Sequence, residues 1–195
     1  HTTLHLLYSR FWHKFLFDLG LVPTSEPYKK RTSHGLILAE GGEKMSKSKG
    51  NVINPDDLVK TVGADTLRVH EMFMGPFDQA IAWDSNTIAG SRRFLERIWK
   101  LQEKIGENSN PKTATLVHKT IKKVSDDIED MKFNTAISSM MILVNEFEKE
   151  AVISKENYSI LVQLVAPFAP HIAEELWVLM KNKGSIHTIP WPQYD

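Results

Sequence analysis

Apolar residues recur at helical spacing along most of this chain, and the few places where the pattern fails are informative. Leu4, Leu7, Tyr8, Phe11, Phe15 and Leu19 define one face of a helix over residues 2–19, stopped by Gly20 with Pro23 beyond. Trp12 and Phe17 widen that stripe, so the helix is expected to be covered on more than one side. The apolar run Leu36 to Ala39 is too brief for a helix and reads as a buried strand. At Asn54-Pro55-Asp56-Asp57 a helix should start: the amide can cap, proline suits the first turn, and two acids face the positive end of the dipole. Gly63 closes it. Asp65 is expected to cap the next helix, from Thr66 to about Met74, which Gly75-Pro76 ends. Residues 79–83 read as a small extended piece.

From Ser85 onward the pattern is helix after helix. Ile88, Leu95, Ile98, Trp99 and Ile105 mark the first, and Leu116, Val117, Ile121, Val124 and Ile128 the second. Phe133, Ile137, Met140, Met141 and Val144 mark a third; Ser154 caps a fourth ending at Pro167, and Pro170 opens a fifth running to Met180. Trp99 and Trp177 read as core. Short connections favour antiparallel neighbours, so residues 85–183 are expected to form a helical bundle, followed by an extended tail, 184–195.

Composition narrows the class without deciding the chemistry. The 195 residues are 42% hydrophobic and 25% charged, an ordinary globular balance. Lysine plus arginine (24) equals aspartate plus glutamate (24), so any polyanion must be met by local patches rather than a global field. The absence of cysteine excludes disulfides and thiolate metal sites. No apolar run reaches the ~20 residues of a membrane span, and no signal peptide is visible. The chain opens on His1, already inside a helical pattern, and reads as a piece of something longer.

The segment GGEKMSKSKGN, residues 41–51, is built for neither helix nor strand. Between Tyr28 and Lys49, six basic residues (Lys29, Lys30, Arg31, Lys44, Lys47, Lys49) face only Glu40 and Glu43, a local balance of +4. Lysine is a compact charge on a flexible stem, suited to a phosphate that moves during reaction. At ~4 Å and an effective dielectric near 20, one such pair is worth about 4 kcal/mol. Glycines on both sides permit opening and closing. The spacing is not that of a P-loop. Composition alone leaves two readings open, a solvated surface turn and a mobile cationic loop over a polyphosphate.

The string itself goes further. Lys44-Met45-Ser46-Lys47-Ser48 is KMSKS, and the chain resembles the class I aminoacyl-tRNA synthetases that carry it, the leucyl-tRNA synthetase family in particular. The resemblance runs through LHLLYSRFWHKFLFDLGLVP, GNVINPDDLVKTVGADTLRVHEMFMGP, SRRFLERIWKL, FNTAISSMMILVNEF and LVAPFAPHIAEELW, and so covers nearly the whole chain. It implies a mainly α fold: residues 1–50 as the end of a Rossmann-type catalytic domain with the KMSKS loop, 51–84 as a connecting segment, and 85–183 as the anticodon-binding bundle. It implies ATP with Mg²⁺ as substrate complex, leucyl-adenylate as intermediate, and transfer to leucine tRNA, without a prosthetic group or resident metal. Lys47 and Lys44 would be the catalytic phosphate-binding lysines, with Met45, Ser46 and Ser48 completing the ATP-binding loop. The strand 34–38 would lie near the adenine, and His1 would end a ribose-side motif. The family's first, histidine-rich signature and its amino acid pocket have no counterpart here, so the chain alone is expected to be inactive without the missing N-terminal half. A cytoplasmic, monomeric parent that does not bind membranes is expected. The valyl, isoleucyl or methionyl branch and a free-standing tRNA-binding helical module remain the alternatives.

Basic residues on two helices are the tRNA-binding candidates: Arg92, Arg93, Arg97 and Lys100 on one, Lys119, Lys122 and Lys123 on the next. Such groups would contact the phosphate backbone, giving salt-dependent affinity with little sequence readout. Ordinary surface charge is the competing reading. The acidic run Asp126, Asp127, Glu129, Asp130 reads as a solvated helix end. His1 and His5 lie four apart but lack the partners of a metal site. His171 reads as a packing or capping residue, and Met45 as an anchor rather than a substrate contact.

Overall fold

The computed structural model describes residues 2–107 and 110–195; His1, to which the ribose-side motif was assigned, lies outside them. The chain divides into two units, His1–His34 and Gly35–Asp195.

The first unit is one helix and the strap that follows it. Helix α1, Thr2–Asp18, ends in a Schellman arrangement: the Gly20 N–H donates to the Phe17 carbonyl at 2.9 Å and the Leu21 N–H to the Leu16 carbonyl at 3.0 Å. Gly20 takes φ 71°, the left-handed region this stop requires. The chain then returns along the helix. Arg10 grips Glu26 with two parallel bonds, 2.8 and 2.7 Å, and Lys14 adds a third contact at 3.2 Å. These cations pull the Glu26 carboxyl down to a pKa of about 2. Within this unit the strap does not supply the expected covering of α1: Leu7, Phe11 and Trp12 are 63%, 69% and 59% exposed. A single extended strap offers too little apolar surface to bury a stripe of this width.

The second unit begins at a strand. β1, Ile37–Leu38, pairs in parallel with β2, Ile81–Ala82, through the Ile81 N–H to the Leu36 carbonyl and the Trp83 N–H to the Leu38 carbonyl, both 2.9 Å. Gly35 enters this pair so closely that a Cβ there would lie 1.7 Å from the Gln79 carbonyl oxygen. The strand is less buried than its sequence suggested. Only Ala39 is enclosed, because a two-stranded ladder here leaves one face open. Helix α2, Pro55–Val62, starts as expected, with the Asn54 side chain accepting from the Asp56 N–H at 3.1 Å. Helix α3 follows at once, Ala64–Phe73.

Five further helices complete this unit: α4, Ile88–Leu101; α5, Pro111–Glu129; α6, Phe133–Lys149; α7, Lys155–Val165; and α8, Pro170–Leu179. Short turns make direct neighbours of α5 and α6 and of α7 and α8. Helix α4 has a longer connection behind it and packs instead against α3, α6 and α8. A 3-10 turn after Leu101 sends Ile105 out of the helix the periodicity implied and into β3, Ile105–Gly106, parallel to β4, Ile153–Ser154. The main core runs through all of these helices, with Ile98, Ile121, Met140, Phe147, Leu164 and Leu176 almost fully enclosed. Val69 of α3 joins it, so the segment before the bundle is packed into it. Trp177 is core, as its spacing implied, but Trp99 is 37% exposed on the open side of α4.

The tail is not simply extended. Ile186 is buried under a short 3-10 turn, Ile186–Thr188, and the Trp191 indole N–H donates to Ser125 Oγ at 2.8 Å. The expectation of a fully solvated acidic helix end also fails at one position. Asp127 is 3% exposed and accepts from Lys123 Nζ at 2.5 and 2.6 Å and from Thr135 Oγ1 at 2.7 Å. It faces the α5–α6 turn, where Met131 takes φ 59° and the Lys132 N–H bonds to the Asp127 carbonyl.

Candidate phosphate-binding loop and nucleic-acid surface

The lysine loop is held at its two ends and its middle. At its base the chain turns tightly: the Gly42 N–H donates to the Ala39 carbonyl and the Ala39 N–H to the Glu43 carbonyl, at 2.9 and 2.8 Å. Gly41 and Gly42 stand at φ 92° and 84°, conformations that side chains disfavour. Beside this turn, Glu40 Oε1 accepts from Ser85 Oγ at 2.6 Å, and Ser85 Oγ accepts from the Trp83 indole at 3.0 Å. The loop base is thereby tied to the segment leading into α4.

Met45 anchors the middle, as its sequence context implied. It is half-buried against a second, smaller core of Leu67, Trp83 and Ile88, joined by Ile53, Leu58 and Val62. Beyond it, Lys47–Lys49 form one 3-10 turn closed by Gly50 at φ 64°. The Ser46 and Ser48 hydroxyls bond each other at 2.8 Å. Asn51, which sequence reasoning passed over, accepts from the Ser46 N–H at 2.8 Å and donates to the Lys44 carbonyl at 3.4 Å. An amide-bearing residue straight after a left-handed glycine was the available signal.

The charges divide unequally. Lys49 pairs with Glu43 at 2.8 Å, and Glu40 is committed to Ser85. Lys44 and Lys47 are exposed and make no ion pair among the described residues. Two unpaired ammonium groups, three positions apart in sequence, thus remain on a segment whose own acids, Glu40 and Glu43, are already engaged. Such an arrangement can receive an anion without first breaking an internal bond.

The basic residues of the bundle sort by partner. Arg97 is locked to Glu148 by two bonds, 2.7 and 2.6 Å, and to Asn145, a grip that holds the Glu148 carboxyl below its usual range. Arg92 pairs with Glu96, Lys122 with Asp126, and Lys123 with the buried Asp127. Arg93, Lys100 and Lys119 make no side-chain hydrogen bond or ion pair among the described residues. Arg93 and Arg97 open on a cleft of about 640 Å³ with His70 and Ser91. Arg92 and Lys100 open on a second, also about 640 Å³, with Trp99 and His171. The α4 cluster therefore serves two clefts, and α5 packs against α6 and α7 rather than alongside α4.

Comparison with known proteins decides the family. Residues 8–84 match the tRNA synthetases class I (I, L, M and V), and residues 113–195 match the anticodon-binding domain of tRNA ligase. This chain belongs to the class I tRNA synthetases. It is 57% identical over 198 residues to the leucine–tRNA ligase of Alkaliphilus oremlandii (strain OhILAs), a match that takes in 100% of this chain and 25% of that protein. It also resembles the Agrobacterium radiobacter K84 agnB2 LeuRS, solved as a ternary complex with tRNA and LeuAMS. That match has a TM-score of 0.82 at 32% identity, covering 100% of this chain and 28% of that one. The methionyl-tRNA synthetase of Mycobacterium tuberculosis, solved with methionyl-adenylate, shares the fold at a TM-score of 0.62 and 18% identity, over 89% of this chain and 42% of its own. The chain thus spans about a quarter of the length of the leucine synthetases it matches. The mainly helical class I architecture expected from its motifs is the one found. Among the described residues, no helix is long and apolar enough to cross a membrane.

Proposed function

We propose that this chain is the part of a leucine–tRNA ligase that supplies the phosphate-binding loop and a tRNA-bearing helical bundle. In the intact ligase the leucine carboxylate attacks the α-phosphorus of ATP, forming leucyl-adenylate and releasing pyrophosphate. Lys47, supported by Lys44, neutralises charge that gathers on the departing pyrophosphate, and the Ser46 and Ser48 hydroxyls donate to the same oxygens. Only the part of this attraction that grows toward the transition state raises the rate. Mg²⁺ enters as the partner of the nucleotide phosphates; among the described residues no group of three His, Asp or Glu side chains forms a metal site. The aminoacyl group then passes to leucine tRNA, whose backbone phosphates meet the basic residues of α4 and α5. A cytoplasmic, monomeric ligase is part of the same reading.

The observation that carries this proposal is the pair of unpaired lysines, Lys44 and Lys47, within a KMSKS turn in a chain 57% identical to a leucine–tRNA ligase. Its test is Lys47→Ala in the intact ligase, followed by leucine-dependent pyrophosphate exchange. Loss of one transition-state donor should slow activation by about 10²–10³. An unchanged exchange rate would remove the loop from the chemistry.

A further inference from the structure

The geometry points to Asn51 as a positioning residue for activation, acting through Lys47 and resting on the function proposed above. The loop between Gly42 and Gly50 has little to hold its shape. Its glycines widen the backbone choices, and its lysines repel one another. Besides the turn's own backbone bonds and the Ser46–Ser48 contact, three things oppose that freedom: Met45 in the small core, the Glu43–Lys49 pair, and the Asn51 carboxamide. The first anchors one side chain, and the second is an exposed pair that salt will screen. Among the described residues, Asn51 is the one side chain that bonds backbone inside the motif, taking the Ser46 N–H at 2.8 Å and reaching the Lys44 carbonyl.

Those two groups bracket Met45, and Ser46 immediately precedes Lys47. Ser46 is the residue from which the turn Lys47–Lys49 departs, in extended conformation at φ −148°, ψ 136°, and its own side chain does not cap that turn. Its N–H would otherwise wait for water or substrate. With Asn51 occupying it, the turn begins from a set direction, and the ammonium groups stay unpaired because the loop's one engaged lysine is Lys49. A loop ordered before substrate arrives loses less conformational freedom on reaching the transition state. The benefit should therefore appear in turnover rather than in ATP affinity.

The experiment uses the intact ligase and four forms: wild type, Asn51→Ala, Lys47→Ala and the double variant. Leucine-dependent pyrophosphate exchange is measured with ATP varied, and transfer of leucine from preformed leucyl-adenylate to tRNA is measured separately. Asn51→Ala should lower kcat for exchange about tenfold, the value of one oriented hydrogen bond, with little change in KM for ATP. Transfer should be unchanged, because no pyrophosphate leaves in that step. In the Lys47→Ala background the same substitution should cost much less than tenfold, since only the supporting Lys44 ammonium is left to place. Full multiplication of the two losses, a loss confined to KM, or an equal fall in transfer would each overturn the assignment. Should Lys47→Ala itself be silent, the function proposed for the loop fails. Should Lys47→Ala be slow while Asn51→Ala is not, only the role of Asn51 fails.

Discussion

Asp65, in the first turn of α3, holds the start of α8 more than a hundred residues away: its Oδ1 meets His171 Nδ1 at 2.7 Å, and its Oδ2 accepts from the Ile172 N–H at 2.7 Å. Helix α8 has no cap of its own, since Ala169 precedes it, so a carboxylate from another helix satisfies its free N–H groups and faces its positive end. Asp65→Ala should cost about 1–2 kcal/mol, the range of a lost N-cap. That corresponds to roughly 2–8 °C in Tm for a chain of this size. His171→Ala should cost less, because the ring is 74% exposed and the two backbone bonds survive it. Thermal unfolding of the two variants followed by circular dichroism gives the comparison, and equal losses would mean that the ring, not the cap, matters.

The same pair marks the limit of what was legible beforehand. A carboxylate at the start of a helical pattern was read correctly as a cap, but of the wrong helix, because capping patterns carry no information about distant partners. Local signals succeeded where the cause was local: Asn54-Pro55, the Gly20 stop, and the glycine-fenced lysines all behave as their neighbours dictate. Trp99 and Asp127 were misplaced for a complementary reason. Periodicity says which side of a helix is apolar, whereas burial depends on what stands opposite: open space by Trp99, the α5–α6 turn by Asp127. The loop's string suggested a phosphate-binding role, but Asn51 became visible only once the Ser46 N–H was seen to meet its carboxamide.

His70 supplies an acid-sensitive element. It is 2% exposed, its Nε2 has no partner among the described residues, and its ring stands edge-on to Trp83 with centroids 4.9 Å apart. Burial pushes its pKa below the ordinary value, partly opposed by Asp84. The unfolded chain therefore takes up a proton at this position near pH ~6.5, where the folded one does not. Stability contributed by the neutral ring is complete above that pH and falls as acid approaches the folded value. His70→Leu should flatten this part of the curve, with urea midpoints of the two proteins converging below pH ~6 relative to their difference above pH ~7. Parallel midpoints across that window would contradict the buried neutral ring.

Tyr158 provides the opposite sign. Its hydroxyl donates to the Ile98 carbonyl at 2.9 Å from a fully enclosed position, joining α7 to α4. Burial raises the phenol pKa, so the folded state keeps its proton while the unfolded chain releases it above pH ~10. This contribution is present below that pH and declines as alkalinity rises. Tyr158→Phe should cost about 1 kcal/mol at neutral pH, leaving the carbonyl without its donor. It should also soften the alkaline fall. Tyr158→Ala should cost about 3–5 kcal/mol, because the cavity lies at the centre of the bundle.

The bundle's cations separate into those already engaged and those available, and the two groups should respond differently to the same substitution. Arg93, Lys100 and Lys119 have no internal partner among the described residues, so replacing each by alanine should leave stability nearly unchanged. In the intact ligase, each replacement that removes a phosphate contact should weaken tRNA binding and reduce the salt slope by about 1. Lys123 is a contrasting case. Its ammonium lies on a carboxylate whose side chain is 4% exposed, and Lys123→Ala leaves Asp127 with one side-chain donor, Thr135. That loss should appear as about 1–3 kcal/mol of stability, the cost of an under-satisfied buried acceptor, with little change in the salt slope for tRNA. Filter binding across a salt series, paired with urea unfolding, distinguishes the two behaviours. If Lys123→Ala lowers the salt slope as much as Lys119→Ala does, the pairing with Asp127 does not withhold it from RNA, and the division by internal partner loses its meaning.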